Sequence, residues 1–311
     1  MRSAGSVPAE PAARWRKFAL AAALLTLGFA GPLWQLLWFA LGDDLHSYIP
    51  LMPLICGYVA WTQKARLPSH SAPARVPAVL FLAGGAAAAI GWVALARHAT
   101  PATVENALAA GAAGWVLGVT GAGCWFLGGA AMRALAFPFF LLVFMIPFPV
   151  PLRHGIETAL QHGSAEVADW MLSLAGTPFW RQGMLFRLPG ISLEVAPECS
   201  GIHSTLVLFI TSLLAGQLLL RRTWKRTVLW LAVIPLALLR NGFRVFVISE
   251  LCVHVSPQMI DSPIHHHGGP VFFVLSLAPF FLLLYFLRKG ERTDSPGQAS
   301  KLEKSSYEEN R

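Results

Sequence analysis

Three short segments of the sequence carry side chains that could perform acyl-transfer chemistry. The first, "PECSGIHS", places Cys199 directly before a long apolar run. The second, "LLRNGFRV", puts Arg240 and Arg244 inside an apolar run, and the third, "HHHGG", begins at His265. A thiol is a good nucleophile only as the thiolate, so it needs a neighbouring base or positive charge. A thiol, guanidinium groups and imidazoles together therefore predict nucleophilic catalysis at a carbonyl carbon.

Two neighbours of Cys199 bear on that prediction. The carboxylate of Glu198 disfavours a thiolate beside it unless an arginine or a histidine neutralises the carboxylate. His203 follows one helical turn after Cys199 and is a second candidate base. Cys199 could also be inert, or it could form a disulfide with Cys252. These residue types alone leave the role of Cys199 open.

Composition places these groups in a membrane protein. The chain has 311 residues, of which 55% are hydrophobic and only 13% are charged. Because soluble domains carry about 25% charged residues, we expect the apolar runs to lie in a bilayer. The net charge of +8 comes from clusters between those runs, a pattern of membrane topology and not of nucleic-acid binding. Cys56 and Cys124 lie within apolar runs and are expected to be small buried residues.

The hydropathy pattern predicts an all-α polytopic membrane protein with about eight transmembrane helices. A span needs roughly 20 mostly apolar residues. The candidate spans are residues 18–41, 47–61, 76–96, 108–128, 134–152, 201–220, 227–250 and 271–287. Between the fifth and the sixth, residues 156–174 predict a short extracytoplasmic amphipathic helix. The alternating stretch at 179–196 then predicts a β-hairpin or two short strands.

The positive charges predict how the chain is oriented in the membrane. Most of the 24 lysines and arginines fall on one side if both termini are cytoplasmic, in agreement with the positive-inside rule. We therefore expect a cytoplasmic segment at 1–17, a membrane domain at 18–287 and a disordered cytoplasmic tail at 288–311. This orientation brings Cys199, both arginines and the histidine triplet to the extracytoplasmic face. Arginines within a span are costly and are retained mainly for function.

Taken together, "VAPECSGIHS", "PLALLRNGFRVFVI" and "HHHGGPVFF" resemble the exosortase/archaeosortase family of sorting enzymes. The early stretch "DDLHSYIPLMPLICGYVAW" is also similar, so the resemblance covers roughly residues 20–287. It implies that Cys199 is the nucleophile, that Arg244 with its companion Asn241 stabilises the thiolate and the oxyanion, and that His265 is the acid–base. His266 is the alternative acid–base, and Arg240 is the alternative arginine for the thiolate and the oxyanion. The family pattern makes His203 a supporting group.

The resemblance implies a cysteine peptidase or transpeptidase of the cytoplasmic (inner) membrane. Its expected partners are exported proteins with a C-terminal tail made of a short motif, a transmembrane helix and a basic cluster. A thioester acyl-enzyme would pass to an unknown acceptor or to water, with no metal and no organic cofactor.

Two other functions fit parts of the pattern. The polar groups could line a pathway in a transporter, or belong to a structural component of an envelope or polysaccharide export system without peptidase activity. The histidine triplet could hold a metal in an intramembrane protease. The metal alternative is weak because the histidines are adjacent and not spaced i, i+4 on one helix face, and no HExxH-type partner occurs.

Overall fold

The computed structural model describes residues 9–63, 67–68, 71–97, 100–195, 200–262 and 268–293. Within these ranges the chain forms twelve α-helices and one small sheet, which confirms the prediction of an all-α polytopic fold in its main feature. The helices are α1 (Ala9–Gly28), α2 (Ala30–Gly42), α3 (Met52–Thr62), α4 (Arg75–Ala96), α5 (Pro101–Phe126), α6 (Gly129–Ala134), α7 (Ala136–Leu141), α8 (Val150–Ala175), α9 (Ile202–Leu219), α10 (Thr223–Leu231), α11 (Val233–His254) and α12 (Gly269–Thr293).

Five helical stretches in the described part are long and apolar enough to cross a membrane. They are Arg75–Ala96, Thr103–Phe126, Ile202–Leu219, Thr223–His254 and Gly269–Glu291. Two bent pairs raise the number to seven if each is one span: Ala13–Gly28 with Ala30–Gly42 at 72°, and Ala136–Met145 with Val150–Ala175 at 93°. The chain is therefore a multi-pass membrane protein. The number eight and the cytoplasmic placement of both termini are not confirmed and stay predictions.

The structure has up to seven candidate spans where the sequence predicted eight, and the stretch that accounts for the difference is the predicted second span, residues 47–61. This stretch contains a 3₁₀ turn at Ile49–Leu51 and then α3, which has only 11 residues. A helix of that length covers about 16 Å, roughly half of the hydrocarbon thickness. Pro50 and Pro53 stand at the beginnings of these two elements, because proline fits the first helical turn but not the interior. The mean hydropathy of residues 47–61 does not reveal that the helix begins only at Met52.

The polar turn before α3 is held together by its own side chains. Asp43 accepts a hydrogen bond from the backbone N–H of Leu45 and lies 2.6 Å from Nδ1 of His46. His46 is buried. The motif "DDLHSYIP" thus forms a compact capped turn at the end of α2.

The chain divides into two compact units, Met1–Arg153 and His154–Arg311. In the first, α4 and α5 form the most extensively packed helix pair. Cys124 of α5 lies in a buried apolar cluster, and Cys56 of α3 is also buried, which confirms the expectation for both cysteines.

The second unit contains the sheet, which consists of β1 (Trp180–Gln182), β2 (Leu185–Leu188) and β3 (Ile191–Glu194) in antiparallel order. The sequence predicted a hairpin or two strands in this region, and the structure has three. One face of the sheet is buried and contributes Phe186, Leu188, Leu193 and Val195 to a core shared with α8 and α11. Cys252 belongs to this core as a free buried thiol, so the alternative of a disulfide between Cys252 and Cys199 is wrong.

The last helix extends past its predicted end. α12 continues to Thr293, whereas residues from 288 onward were expected to be disordered. The reason is tertiary: the Glu291 carboxylate accepts the backbone N–H groups of Arg221 and Arg222 at 2.9–3.0 Å. Lys225 also donates to the carbonyl of Leu287 at 2.9 Å. Residues 294–311 lie outside the described part of the chain.

The approach of α8 to α11 allows a test of this packing. A Cβ added at Gly242 of α11 would lie 3.0 Å from the carbonyl oxygen of Ser164 and would also clash with Val167 of α8. We expect Gly242→Ala to lower the free energy of unfolding by about 1–3 kcal/mol, the usual cost of overpacking. Thermal unfolding in detergent measures the loss. Gly155→Ala is the matched control in α8, because a Cβ there meets nothing within 4 Å. Equal unfolding temperatures for the two variants would contradict the packing described.

Candidate active site

The residues predicted for catalysis fall into two groups in the structure. Arg240, Asn241, Arg244 and His203 lie within the described residues. Cys199, Glu198, His265 and His266 lie outside them. The site is therefore built from α11 and from the backbone that directly follows Cys199 in the chain.

Helix α11 carries a buried charge in the middle of a long apolar segment. Arg240 is only 6% exposed and the adjacent Asn241 only 3%. An unpaired guanidinium at such a position would be costly, so its hydrogen bonds decide whether the helix can tolerate it. Arg240 Nη2 donates to the carbonyl of Gly201 and to Oγ1 of Thr205, each at 3.1 Å. Nε and Nη2 both donate to Oδ1 of Asn241 at 3.1 Å.

Asn241 extends this network to the residue next to Cys199. Its Nδ2 donates to the backbone carbonyl of Ser200 through a short hydrogen bond. Because Oδ1 accepts from Arg240 while Nδ2 donates to Ser200, the amide is fixed in one orientation. Two neighbouring side chains of α11 thereby hold two consecutive carbonyls, those of Ser200 and Gly201.

Gly201 is the point where the chain turns into α9. It has φ = 64° and ψ = 25°, in the left-handed region that favours glycine. A Cβ at this position would lie 2.8 Å from Arg240 Nη2 and would also clash with the Asn241 amide. The Gly201 carbonyl accepts the N–H of Thr205 at 2.9 Å, which is the first hydrogen bond of α9. The "CSG" sequence thus places a close approach between backbone and side chain immediately after Cys199.

The backbone before Cys199 is held as well. Val195 donates its N–H to the carbonyl of Met184 at 3.0 Å, and its own carbonyl accepts from Nε2 of Gln161 at 3.0 Å. The described residues on either side of 196–199 are therefore both held by other elements, Val195 by the sheet and Gln161, and Ser200 by Asn241 of α11.

The two candidate arginines differ in burial, and the contacts of Arg240 show that it holds the turn into α9. Arg240 directs Nε and Nη2 toward Asn241 and the α9 turn, which is a supporting role in the scaffold. Arg244 follows four residues later on the same face of α11 and is half-buried. His203 is half-buried in the first turn of α9. The remaining nitrogen of the Arg240 guanidinium, Nη1, is buried without a hydrogen-bond partner among the described residues, so both arginines are still candidates for contact with the reacting groups.

Sequence reasoning missed three residues that hold this site: Ser200, Thr205 and Gln161. Gly201 was the available signal in the sequence, since a glycine directly before a helix often indicates that other groups approach the backbone closely there. Arg240 and Asn241, which bind that turn, lie more than 30 positions away in sequence, and no local pattern pairs them with Ser200 and Thr205. Within the described residues no group of three or more His, Cys, Asp or Glu side chains could hold a metal ion.

Comparison with known families identifies the class of protein. The family model described as Transmembrane exosortase (Exosortase_EpsH) matches residues 38–282, well over half of the chain. The chain belongs to the transmembrane exosortase family. The matched range contains all the residues of the predicted site, and it confirms the resemblance seen in the sequence. No curated protein and no solved structure matches this exosortase.

A pair of lysine substitutions tests the different roles of the two arginines. Arg240→Lys keeps the charge but loses the fork that reaches Gly201, Thr205 and Asn241 together, so the buried Oδ1 of Asn241 loses both of its guanidinium donors. We expect it to lower the free energy of unfolding by about 2–4 kcal/mol. Arg244→Lys should cost less stability, because Arg244 is only half-buried. Thermal unfolding of both variants in detergent gives the comparison. An Arg240→Lys protein as stable as Arg244→Lys would contradict a scaffold role for Arg240.

Proposed function

We propose that this exosortase is a membrane-embedded cysteine peptidase/transpeptidase that cleaves and sorts exported proteins bearing a C-terminal tail. The tail comprises a short motif, a transmembrane helix and a basic cluster. The observation that carries the proposal is the pair of hydrogen bonds from Arg240 and Asn241 to the carbonyls of Gly201 and Ser200. A buried network that fixes the backbone beside one cysteine is what a positioned nucleophile requires. Membership of the exosortase family supports the same reaction class.

The reaction proceeds through a thioester. The Cys199 thiolate attacks the carbonyl carbon of the scissile peptide bond, and a tetrahedral oxyanion forms. The C–N bond then breaks, the departing amine takes a proton, and the acyl group stays on the sulfur. An acceptor amine or water next attacks the thioester carbon and releases the Cys199 thiol. The positive end of the α9 dipole lies beside this position in the chain and favours both the thiolate and the oxyanion.

The remaining polar residues take distinct roles in this proposal. Arg244 stabilises the thiolate and then the oxyanion, in a low-dielectric site where a fixed charge is most effective. His265 holds the proton from the thiol and returns it to the departing amine. His203 supports the site from the first turn of α9. A histidine or an arginine of the site pairs with Glu198, because an unpaired carboxylate would oppose the thiolate.

The proposed location is the cytoplasmic (inner) membrane, with the reaction on the extracytoplasmic face and both termini cytoplasmic. The distribution of lysines and arginines supports this orientation. An active site on that face meets an exported protein after its secretion but while its tail helix is still in the bilayer. The proposal thus accounts for why the substrate would carry a transmembrane helix and a basic cluster after its motif.

Removal of the nucleophile is the first test of the proposal. In cells that express an exported reporter fused to such a tail from the same genome, Cys199→Ala and Cys199→Ser should each abolish processing. The reason is that neither side chain provides a thiolate. Immunoblots of the reporter give the cleaved fraction, and blots of the membrane fraction verify that the variants accumulate.

The same assay separates the rival functions. Buried Cys252→Ala serves as a matched control, since Cys252 is a free thiol in the core and not in the proposed chemistry. A metalloprotease would tolerate Cys199→Ala and would lose activity with a membrane-permeant chelator. A transporter or a structural export component would leave the reporter at full length even with the wild-type protein.

The histidine triplet provides a further test. We expect His265→Ala to reduce processing by at least about 100-fold, the usual contribution of a general acid–base. His266→Ala should retain most of the activity, because His265 has the spacing to Gly269 seen in the family pattern. Initial rates of reporter cleavage measure both variants. The reverse order of effects would assign the acid–base to His266.

A further inference from the structure

The outer edge of β3 has backbone groups that point away from the sheet. Leu185 pairs with Glu194, and Arg187 pairs with Ser192. The hydrogen bond from Val195 N–H to the Met184 carbonyl fixes the alternation, so Glu194 and Ser192 occupy the non-hydrogen-bonded positions. The N–H and C=O groups of Ser192 and Glu194 are therefore directed away from β2. They form a row of two donors and two acceptors along one edge.

This edge is accessible in the described structure. Ser192 and Glu194 are exposed, while Leu193 between them is buried. Within the described residues no hydrogen bond reaches the outward N–H and C=O groups of Ser192 and Glu194. An exposed strand edge of this kind is a template for another extended chain. Natural proteins usually block such edges unless they are used.

The strand is also rigid enough to serve as a template. Leu193 and Val195 pack into the core formed with α8 and α11. Gln161 of α8 fixes the end of β3 through its hydrogen bond to the Val195 carbonyl. A guest strand would thus meet a preordered edge, which lowers the entropic cost of binding an extended peptide.

The position of this edge in the chain connects it to the proposed nucleophile. Cys199 follows Glu194 by five residues, so a fully extended chain would place it at most about 18 Å from the edge. The two outer edges of the sheet are not equivalent. β1 and β3 are separated by two strand spacings, about 10 Å, so the outer edge of β1 is on the opposite side of the sheet. On β1, Arg181 is paired with Glu166 of α8 at 2.8 Å, and its strand does not lead to Cys199.

We propose that the β3 edge binds the segment of the substrate that precedes the cleavage point, as a fourth strand of the sheet. The partner is an extended polypeptide, recognised through its backbone N–H and C=O groups, with Ser192 and Glu194 supplying the complementary groups. This inference rests on the proposed function and specifies how that site holds its substrate. Backbone pairing gives affinity, and alternate side chains of the guest strand lie beside Ser192 and Glu194 on the exposed face of the sheet.

The first experiment removes one outward N–H from the enzyme. Ser192→Pro deletes the donor without breaking any hydrogen bond of the β2–β3 pair, and an edge strand tolerates proline at such a position. Ser192→Ala also loses the hydroxyl but keeps the backbone N–H. The ratio of the initial cleavage rates of the two variants on the tail-bearing reporter therefore measures the contribution of that N–H alone. We expect Ser192→Pro to be about three- to tenfold slower than Ser192→Ala, the effect of one lost hydrogen bond. Arg181→Pro and Arg181→Ala make the same comparison at the far edge, with a ratio near one.

The second experiment leaves the enzyme unchanged and scans the reporter. Proline and, as matched control, alanine replace each residue in turn over the segment before the cleavage motif. Pairing with β3 predicts that proline slows cleavage at every second position, since alternate N–H groups face the edge. A proline effect without this period of two overturns the proposal, as does a Ser192→Pro rate equal to that of Ser192→Ala.

Two further outcomes are distinguishable. Ser192→Pro could convert a dimer into a monomer in detergent while the proline scan of the reporter shows no alternation. In that case the edge pairs with a second copy, and the proposal is wrong. If the wild-type protein and Cys199→Ala leave the reporter equally uncleaved, the proposed function itself has failed. Alkylation by iodoacetamide verifies that the Cys199 thiol is as reactive in Ser192→Pro as in the wild-type protein. Slow cleavage together with a normal alkylation rate then supports the edge.

Discussion

The contact between the Arg240 guanidinium and the Gly201 carbonyl is the constraint on which the second unit depends. A positive charge within an apolar helix is tolerated only when protein dipoles replace water around it. Here those dipoles are the Gly201 carbonyl, the Thr205 hydroxyl and the Asn241 amide. The need to satisfy Arg240 therefore fixes where α9 begins relative to α11. The same contact makes glycine necessary at position 201, because a Cβ would occupy the space of the guanidinium.

The sheet contributes the second anchor, and it does so through ordinary apolar packing. Leu193 and Val195 are buried against α8 and α11, while Gln161 binds the last carbonyl before the Cys199 segment. The close approach of α8 and α11 at Gly242 brings these elements together. A polar network on one side and an apolar core on the other thus hold the two ends of a four-residue connection.

The helical class and most of the membrane-spanning segments could be predicted from the sequence, because a helix that crosses a bilayer must be a long apolar run. Other features depend on distant contacts. Spacing placed Arg240 and Arg244 on one face of α11, but the hydrogen bonds of Arg240 to Gly201 and Thr205 join residues too distant in sequence for spacing to report. The stretch at 179–196 was predicted as a hairpin or two strands and forms three, because Trp180–Gln182 has only three residues and is a strand through its pairing with β2. The last turn of α12 was assigned to the tail, yet Glu291 ties it to the backbone of Arg221 and Arg222.

The central claim is that Cys199 forms the covalent bond to the substrate, and mass spectrometry of the reacting enzyme tests it most directly. Enzyme purified from membranes during turnover of the tail-bearing reporter would be digested and analysed for a modified Cys199 peptide. The account predicts a thioester between Cys199 and the new C-terminal residue of the reporter, which hydroxylamine removes and which Cys252→Ala does not affect. Efficient cleavage with an unmodified Cys199 at every time point, or a covalent adduct on a different residue, would contradict it.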